Sequence, residues 1–192
     1  NGPGATRLGS GKYQGQTLEE LARALGRPIE EVLAEELPPG SASAAYFVMD
    51  EAALARFLRD PLVMVASDGG PKMAHPRGYG SQARVLRRAI DGAAGFALEE
   101  AVRKLAALPA ATLGLRDRGV LRVGAHADLV LFDPRVVGDR ATYEQPHLLA
   151  VGVRRTWVGG ETAFEAGERR EALSGRWLRG SLDLEFLSAA GR

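Results

Sequence analysis

An aspartate and an arginine nine positions apart are the residues of this chain best suited to chemistry. A run of apolar residues at positions 62–66 ends in Ser-Asp68-Gly-Gly, and His75-Pro-Arg77-Gly-Tyr79 follows. A carboxylate at the end of a buried strand can bind a metal ion or move a proton to and from a water molecule. The planar guanidinium of Arg77 can bind a substrate carboxylate through paired hydrogen bonds. These two residues are therefore the leading candidates for a functional site, with His75 and Tyr79 in the same stretch.

Each of these candidates also has a purely structural interpretation. Asp and Gly are common turn residues, so Ser-Asp68-Gly can simply form a turn. An isolated arginine more often pairs with a surface acid, and a single histidine before proline is more often neither a ligand nor an acid. His126 and His147 lie in turn-like sequence and are expected to be structural or solvated. The sequence contains no His-x-His pair, so its histidines lack the spacing of a metal site.

The apolar run before Asp68 predicts a parallel strand buried on both faces. Residues 44–49 have the length and the aromatic content of an earlier strand, and Asp50 is a plausible cap for a helix between the two. A strand, a helix and a second strand imply a parallel crossover, and functional groups collect at the carboxyl ends of parallel strands. Asp68 would occupy such an end. The connecting helix is predicted to bury one stripe: Leu54, Phe57 and Leu58.

The remaining helices are predicted from caps and from apolar spacing. Thr17 and Glu20 have the spacing of a capping box, and Gly26 follows the apolar face of that helix. Pro28 suits the start of a second helix that Pro38 ends. Three more helices are expected further along the chain, at residues 81–90, 98–108 and 109–113.

After Arg116 the pattern changes to short strands, so we place a module boundary near Leu115. Residues 119–124, 128–133 and 151–158 are predicted strands, and Gly159-Gly160 predicts a hairpin turn. Alternating apolar residues in the tail predict one last strand: Leu182, Leu184 and Phe186.

The composition excludes several classes of function. A net charge of +1 provides no overall attraction to nucleic acid or to an anionic membrane. The apolar runs are too short to span a bilayer. No cysteine is present, which excludes disulfides and thiolate ligands and favours a reducing, cytoplasmic location. The chain opens at Asn1 without a leader-like segment, and processing or fragmentation is expected to account for that start. From the residues alone, the sequence predicts an α/β domain with a polar loop after a strand.

Several segments of the chain form an ordered set. They are Val65-Ala-Ser-Asp68-Gly with His75-Pro-Arg77, Leu98-Glu-Glu-Ala-Val-Arg-Lys-Leu, Leu108-Pro-Ala-Ala-Thr-Leu-Gly-Leu, Gly119-Val-Leu-Arg-Val-Gly-Ala-His-Ala-Asp-Leu-Val-Leu-Phe-Asp133 and Asp139-Arg-Ala-Thr-Tyr-Glu-Gln-Pro-His147. Taken in this order, the segments resemble the carboxyl end of the amidohydrolase superfamily. The last segment and the His-Pro-Arg loop most resemble the D-aminoacylase or N-acyl-D-amino-acid deacylase branch. The resemblance covers roughly residues 17–180, and the ordered set is specific.

The resemblance implies the C-terminal part of a zinc-dependent hydrolase on a TIM-like (β/α)8 barrel, with a small β-sandwich. Residues 1–115 would supply the last strands and helices of the barrel, and residues 116–192 a β-rich module with a tail. Asp68 would move protons between the attacking water and the leaving amine during hydrolysis of an N-acyl-D-amino acid. Arg77 would bind the substrate's α-carboxylate, with His75 and Tyr79 as weaker candidates for substrate binding.

A complete barrel of this kind takes about 250 residues, so most of the enzyme would lie outside this chain. One or two zinc ions are implied, and Asp68 is a candidate ligand whose partners lie mostly outside the chain. The chain alone is expected to be inactive and to need the missing N-terminal part, as a segment or a second polypeptide. The partner expectations are a small-molecule substrate, no nucleic acid, no membrane and a homo-oligomer. The alternatives are a dihydropyrimidinase-like or dipeptidase-like amidohydrolase, and a non-catalytic barrel remnant that serves assembly or ligand binding.

Overall fold

The computed structural model of the protein describes residues 2–70, 73–171 and 173–178. Two compact units divide the chain, and each is assembled from separated segments. Neither unit begins or ends at Leu115, so the module boundary there stays a prediction. The first unit contains Asn1–Arg56, Ser67–Ser81 and Arg140–Leu149, and the second contains Phe57–Ala66, Gln82–Asp139 and Ala150–Arg192.

The first unit is built on a short antiparallel pair of strands and a capped helix. Strand β1, Thr6–Leu8, follows a 3-10 turn at Pro3–Ala5 and pairs with β2, Ala44–Tyr46. Helix α1, Leu18–Leu25, begins with the predicted capping box and ends at Gly26, which is left-handed at φ 64°. Both helix ends follow from residues within one turn of them, which is why the sequence predicted them.

The second helix of this unit, α2, is short and continues with a wider turn. It covers Ile29–Glu31, and residues Val32–Glu36 follow in π-helical geometry. The apolar spacing predicts an inward face of Ile29, Val32, Leu33 and Leu37. Val32 is fully buried and Ile29 and Leu37 pack against the core, but Leu33 is 47% exposed. The core of the unit is one cluster of apolar residues: Leu8, Leu18, Leu21, Ala22 and Val32.

Around residues 44–66 the structure differs from the sequence expectations. Strand β2 stops at Tyr46 and pairs antiparallel with β1, so the predicted parallel crossover is not formed within the described residues. Helix α3, Glu51–Arg59, begins where predicted, because the Ala53 N–H donates to the Asp50 carboxylate at 2.7 Å. Its predicted buried stripe is wrong, since none of its residues is buried and the Phe57 residue is 58% exposed.

Residues 62–66 do not form the predicted buried strand. They belong to no strand of the described chain, and Leu62 is 81% exposed. One backbone hydrogen bond ties the segment to a helix, from the Val65 N–H to the Lys104 carbonyl at 3.3 Å. An apolar run shows that a segment can be buried, but a strand also needs a neighbour to complete its ladder. None of the described residues provides that neighbour.

The helices of the later part of the chain were largely predicted. Helix α4 covers Arg77–Ile90 and begins four residues before the expected start. Helix α5, Leu98–Val102, continues through a π-helical turn, Arg103–Ala107, into α6, Leu108–Thr112. Small residues allow these helices to approach closely in the core of the second unit. That core consists of Val85, Ala89, Ala94 and Ala101, with Val65, Leu86, Phe96 and Leu105 packed against it.

Lys104 is a charged side chain in this apolar surrounding and is fully buried. Its ammonium donates hydrogen bonds to the carbonyls of Asp60 and Val63, the latter at 2.9 Å. The Glu100 carboxylate lies 3.7 Å away. Buried charges persist where such partners offset the loss of water, so Lys104 anchors the segment that leads toward Asp68 in the sequence.

A four-stranded antiparallel sheet completes the second unit. Its strands, in spatial order, are β3 (Leu129–Phe132), β4 (Val153–Val158), β5 (Glu161–Glu165) and β6 (Glu168–Arg169). The predicted glycine hairpin is confirmed, because Gly159 and Gly160 both have positive φ between paired Val158 and Glu161.

Two other strands were predicted in this region. Residues 119–124 form bends and a turn and no strand, and Val123 is fully exposed, so that prediction is wrong. The strand expected around Leu182, Leu184 and Phe186 lies outside the described residues. The mixture of helices and sheets agrees with the α/β class. In the described part of the chain, no helix has the length and apolar character needed to cross a membrane.

Candidate functional site

Asp68 and Arg77 form an ion pair within the first unit. The Arg77 Nη2 lies 2.7 Å from the Asp68 Oδ2, and the side chains are 45% and 79% exposed. Asp68 has φ of +48°, a left-handed backbone that few residues other than glycine adopt and that aspartate tolerates better than most. Residues held in this region cluster at functional sites, where the surrounding structure stabilises them. The structure therefore brings the two leading candidates together.

A close approach of two backbone segments brings this pair together. A Cβ at Gly69 would lie 3.2 Å from the Gly78 Cα. Any side chain at Gly69 would therefore push the loop away from the first turn of α4. Arg77 is the first residue of that helix, not a loop residue as predicted, and Pro76 precedes it with its φ already set for a helix start. The glycines in the first turn are what made this stretch resemble a loop.

The surroundings of His75 favour its neutral form. Its Nδ1 accepts a hydrogen bond from the Arg77 backbone N–H at 3.1 Å, which requires Nδ1 to be unprotonated. Burial, and then the neighbouring Arg77 charge, lower the pKa of His75 below its ordinary 6.5, with a smaller opposing effect from Asp68. The neutral imidazole thus ties its own backbone to the residue that carries the guanidinium.

Two residues that the sequence did not single out as functional pack on this stretch. The ring of Tyr143 meets His75 edge-on with centroids 5.1 Å apart, and the ring of His147 lies 5.2 Å from that of Tyr79. The His147 Nε2 is also 3.2 Å from the Met73 carbonyl. A carbonyl can only accept, so that nitrogen donates. His147 was expected to be structural or solvated, and its two partners are the candidate site residue Tyr79 and the backbone of Met73. The one signal was the Tyr-Glu-Gln-Pro-His segment of the resemblance.

The described residues do not make a metal centre by themselves. No group of three or more His, Asp or Glu side chains lies close enough to hold an ion in this part of the chain. Asp68 has Arg77 as its near neighbour, and a guanidinium cannot be a ligand. A structural or catalytic zinc takes at least three protein ligands. These residues therefore do not fit a complete zinc site, and Asp68 is at most one oxygen ligand of one.

Chemically, the arrangement is a carboxylate and a guanidinium that neutralise each other at the surface. An exposed ion pair contributes little free energy, because water and salt screen it. A second carboxylate can therefore compete with Asp68 for Arg77 at small cost. Exchange of this kind is what binding of an acidic small molecule would require.

Sequence comparison now defines the class of the protein. The signature of the amidohydrolase family matches residues 13–164, and the chain belongs to that family. Within it, the chain falls in the D-aminoacylase, or N-acyl-D-amino-acid deacylase, branch. An N-acyl-D-aspartate deacylase of Alcaligenes xylosoxydans xylosoxydans is 41% identical over 160 residues, which are 82% of this chain and 31% of that protein.

Solved structures agree with this branch. A crystal structure of a D-aminoacylase has a TM-score of 0.83 and 38% identity, with 91% of this chain and 37% of that chain covered. The N-acyl-D-glutamate deacylase of Bordetella bronchiseptica, solved with zinc and a phosphonate that mimics the tetrahedral intermediate, has a TM-score of 0.78 and 38% identity. The match covers 85% of this chain and 35% of that one. The chain spans about a third of the length of the relatives it matches, which fits the expected partial match.

Proposed function

We propose that this chain is the C-terminal portion of a metal-dependent amidohydrolase that cleaves N-acyl-D-amino acids into a carboxylate and a free D-amino acid. The observation that carries the proposal is the pairing of Asp68 with Arg77 at 2.7 Å. This pair puts a proton acceptor beside a carboxylate-binding group, and the chain's relatives are named as deacylases of such substrates.

Arg77 binds the α-carboxylate of the substrate in this proposal. Its guanidinium offers parallel N–H donors that match a carboxylate in geometry. The side chain is 45% exposed, so a ligand can reach it. Tyr79 and His75 flank Arg77 in sequence and contribute to the same binding region. The free carboxylate is therefore the feature of the substrate that this chain selects.

Asp68 acts as the general base and then the general acid. As the oxygen of a water molecule forms a bond to the amide carbon, the Asp68 carboxylate accepts the proton that the water loses. When the carbon–nitrogen bond breaks, the proton passes from Asp68 to the leaving nitrogen. The amine departs as the D-amino acid, and the carboxylate of Asp68 is restored. The incoming substrate releases Asp68 from Arg77, so substrate binding frees the base for the first proton transfer.

One or two zinc ions would be coordinated by ligands that lie mostly outside this chain. Asp68 is one candidate ligand within it. A bound zinc ion polarises a carbonyl and lowers the pKa of water. The roles given to Arg77 and Asp68 above depend on the positions of their own side chains.

The architecture proposed for the whole protein follows the family. Residues 1–115 supply the last strands and helices of the barrel, and residues 116–192 a composite β-sandwich module. The missing N-terminal part, as a segment or a second polypeptide, completes the barrel, and the cytoplasm is the proposed location. Large apolar side chains at the surface support further protein contacts, including a homo-oligomer. Exposed examples between residues 44 and 66 include Tyr46, Val48, Met49, Phe57 and Leu62.

The test replaces Arg77 in the enzyme that contains this chain. Arg77→Ala should raise KM about 10- to 100-fold for an N-acetyl-D-amino acid, the range expected for a lost charged hydrogen-bond donor. For the matching N-acetyl amine, which lacks the carboxylate, the substitution should leave KM unchanged. Arg84→Ala is the matched control, since it also removes an exposed arginine of α4, one that pairs with Asp139.

The outcomes separate the alternatives. Equal KM effects on the acid and the amine would refute Arg77 as the carboxylate-binding residue. Activity on a cyclic ureide or a dipeptide in place of the N-acyl-D-amino acid would favour a dihydropyrimidinase-like or dipeptidase-like enzyme. A complete absence of turnover in the unsubstituted protein that contains both this chain and the missing N-terminal part would favour the non-catalytic remnant.

A further inference from the structure

Residues Arg140–Leu149, which we call the bracket segment, contact the functional stretch at two points. Tyr143 packs against His75 on one side of Arg77 in the sequence, and His147 packs against Tyr79 on the other. Both contacts lie within the first compact unit. The bracket segment therefore holds the residues on either side of Arg77, although more than 60 positions separate it from them in the chain.

The contact at His147 is directional. Its Nε2 donates to the Met73 carbonyl at 3.2 Å while its ring lies on Tyr79. The same side chain thus joins the residues before and after the Pro76 turn. Removal of the imidazole would lose the hydrogen bond and the ring contact together.

The contact at Tyr143 continues to the backbone of Arg77. Phe47, whose N–H donates to the Ala5 carbonyl at 2.8 Å, packs on the Tyr143 ring with centroids 4.7 Å apart. Tyr143 packs on His75, and His75 accepts the Arg77 N–H. A continuous line of contacts therefore runs from the strand pair of the first unit to the residue that carries the guanidinium.

The bracket segment is itself fixed in place, as a positioning element must be. Thr142 and Gln145 exchange two hydrogen bonds, at 3.0 and 3.2 Å, and close a turn. Ala141 is buried, and Glu144 forms a 3.0 Å ion pair with Arg7 of β1. These contacts tie the backbone around Tyr143 to β1 of the first unit.

We propose that Tyr143 and His147 are positioning residues that hold Arg77 in the orientation in which it binds a carboxylate. The inference rests on the proposed role of Arg77 in substrate binding. Neither residue takes part in the chemistry of bond cleavage. Their loss should weaken binding of the carboxylate more than it slows turnover, because Asp68 and the reacting atoms are not their direct partners.

The first test is hydrogen exchange of residues 73–80, whose amides at Met73, Arg77, Gly78, Tyr79 and Gly80 are hydrogen-bonded. His147→Ala should speed their exchange about fivefold or more, the effect of one lost neutral hydrogen bond on a local opening equilibrium. His147→Gln, which keeps an N–H donor for the Met73 carbonyl, should restore part of the protection. His147→Phe, which keeps only a ring, should restore less. Leu149→Ala is the control, because it changes an exposed side chain of the same segment. In this variant the amides of residues 73–80 should exchange at the rate of the parent protein.

The second test is the split between KM and kcat in the enzyme that contains this chain. Tyr143→Ala and His147→Ala should raise KM for an N-acetyl-D-amino acid about three- to tenfold, while kcat changes less than twofold. Tyr143→Leu keeps an apolar side chain and provides a milder variant if the alanine form does not fold. Exchange rates within twofold of the parent in both the Tyr143 and the His147 variants would overturn the inference. Faster exchange in these variants, together with no deacylase activity in the unsubstituted protein that contains both this chain and the missing N-terminal part, would uphold the positioning role and refute the proposed function, so the two failures are distinguishable.

Discussion

Replacement of Lys104 by methionine tests how the segment before Asp68 is held in place. Methionine has nearly the length of the lysine stem, so Lys104→Met retains the packing around the aliphatic part. It removes the ammonium, which is fully buried and donates to the carbonyls of Asp60 and Val63. The Val65 N–H keeps its bond to the backbone carbonyl of residue 104. The substitution therefore isolates the contribution of the buried charge.

We expect Lys104→Met to lower the free energy of unfolding by about 2 kcal/mol. Each hydrogen bond from a charged donor contributes roughly 1.5–3 kcal/mol, and two are lost. Relief of the cost of burying an ammonium, which is several kcal/mol, offsets part of that loss. The Glu100 carboxylate keeps Arg103 as its partner at 2.6 Å, so the variant leaves no unpaired buried acid.

Equilibrium unfolding in urea measures the change. With a slope of about 2 kcal/mol per molar, the midpoint should fall by about 1 M, and the Val65 amide should exchange faster. Lys12→Met is the matched control, because that lysine side chain is 75% exposed and its loss should leave the midpoint unchanged. A midpoint for Lys104→Met equal to or above that of the parent would refute the reasoning. It would mean that the free-energy cost of burying the ammonium exceeds the stabilisation from its hydrogen bonds.

Two further predictions concern the first unit. The pKa of His75 is lowered in the folded chain, so the unfolded chain binds a proton more readily. The contribution of His75 to the stability of the folded state is therefore present above pH 6.5 and is lost as the pH falls through the folded pKa. His75→Asn keeps an acceptor for the Arg77 N–H but does not titrate, so this variant should lose less stability at acid pH. An imidazole pKa at or above 6.5, measured by NMR in the parent protein, would contradict the assignment. Thr17→Ala should destabilise the protein by about 1 kcal/mol, because the Thr17 hydroxyl accepts from the Glu20 N–H at 3.1 Å. Thr17→Ser, which keeps the hydroxyl, should retain most of the stability in the same urea experiment, and equal losses in the two variants would show that the cap is not the cause.

The elements that the sequence predicted well depend on interactions over a few residues. The capping box of Thr17, the left-handed Gly26 and the hairpin at Gly159 and Gly160 each involve neighbours within one turn. Their residue types favour one local backbone whatever surrounds them. The helices of residues 98–112 were predicted for a similar reason, since apolar spacing and first-turn acids are local signals.

The elements that failed depend on partners far away in the chain. Residues 62–66 and 119–124 have the composition of strands, but the described residues give neither of them a strand neighbour. Composition cannot distinguish a segment that has a partner from one that lacks it. Phe57 and Leu62 show the consequence, because both are largely exposed although hydrophobicity predicted burial.

The two leading residues of the candidate site could be named from the sequence, but their surroundings could not. Asp68 and Arg77 were identified from residue type and position, and the structure places them in contact. Tyr143 and His147 were not assigned to the site, because residue type and spacing do not show that residues more than 60 positions apart are in contact. His147 had been expected to be structural or solvated, and its contacts with Met73 and Tyr79 are visible only in three dimensions.

The positive φ of Asp68 determines which substitutions can be interpreted there. Alanine strongly disfavours this backbone region, whereas asparagine and glycine accept it. Alanine scanning at position 68 would therefore change the path of the chain and the chemistry together, and loss of activity would not identify the cause. Asparagine alters the proton-accepting oxygen and leaves the shape of the turn intact. A mutational survey that relied on alanine alone would mistake a conformational defect for a catalytic one.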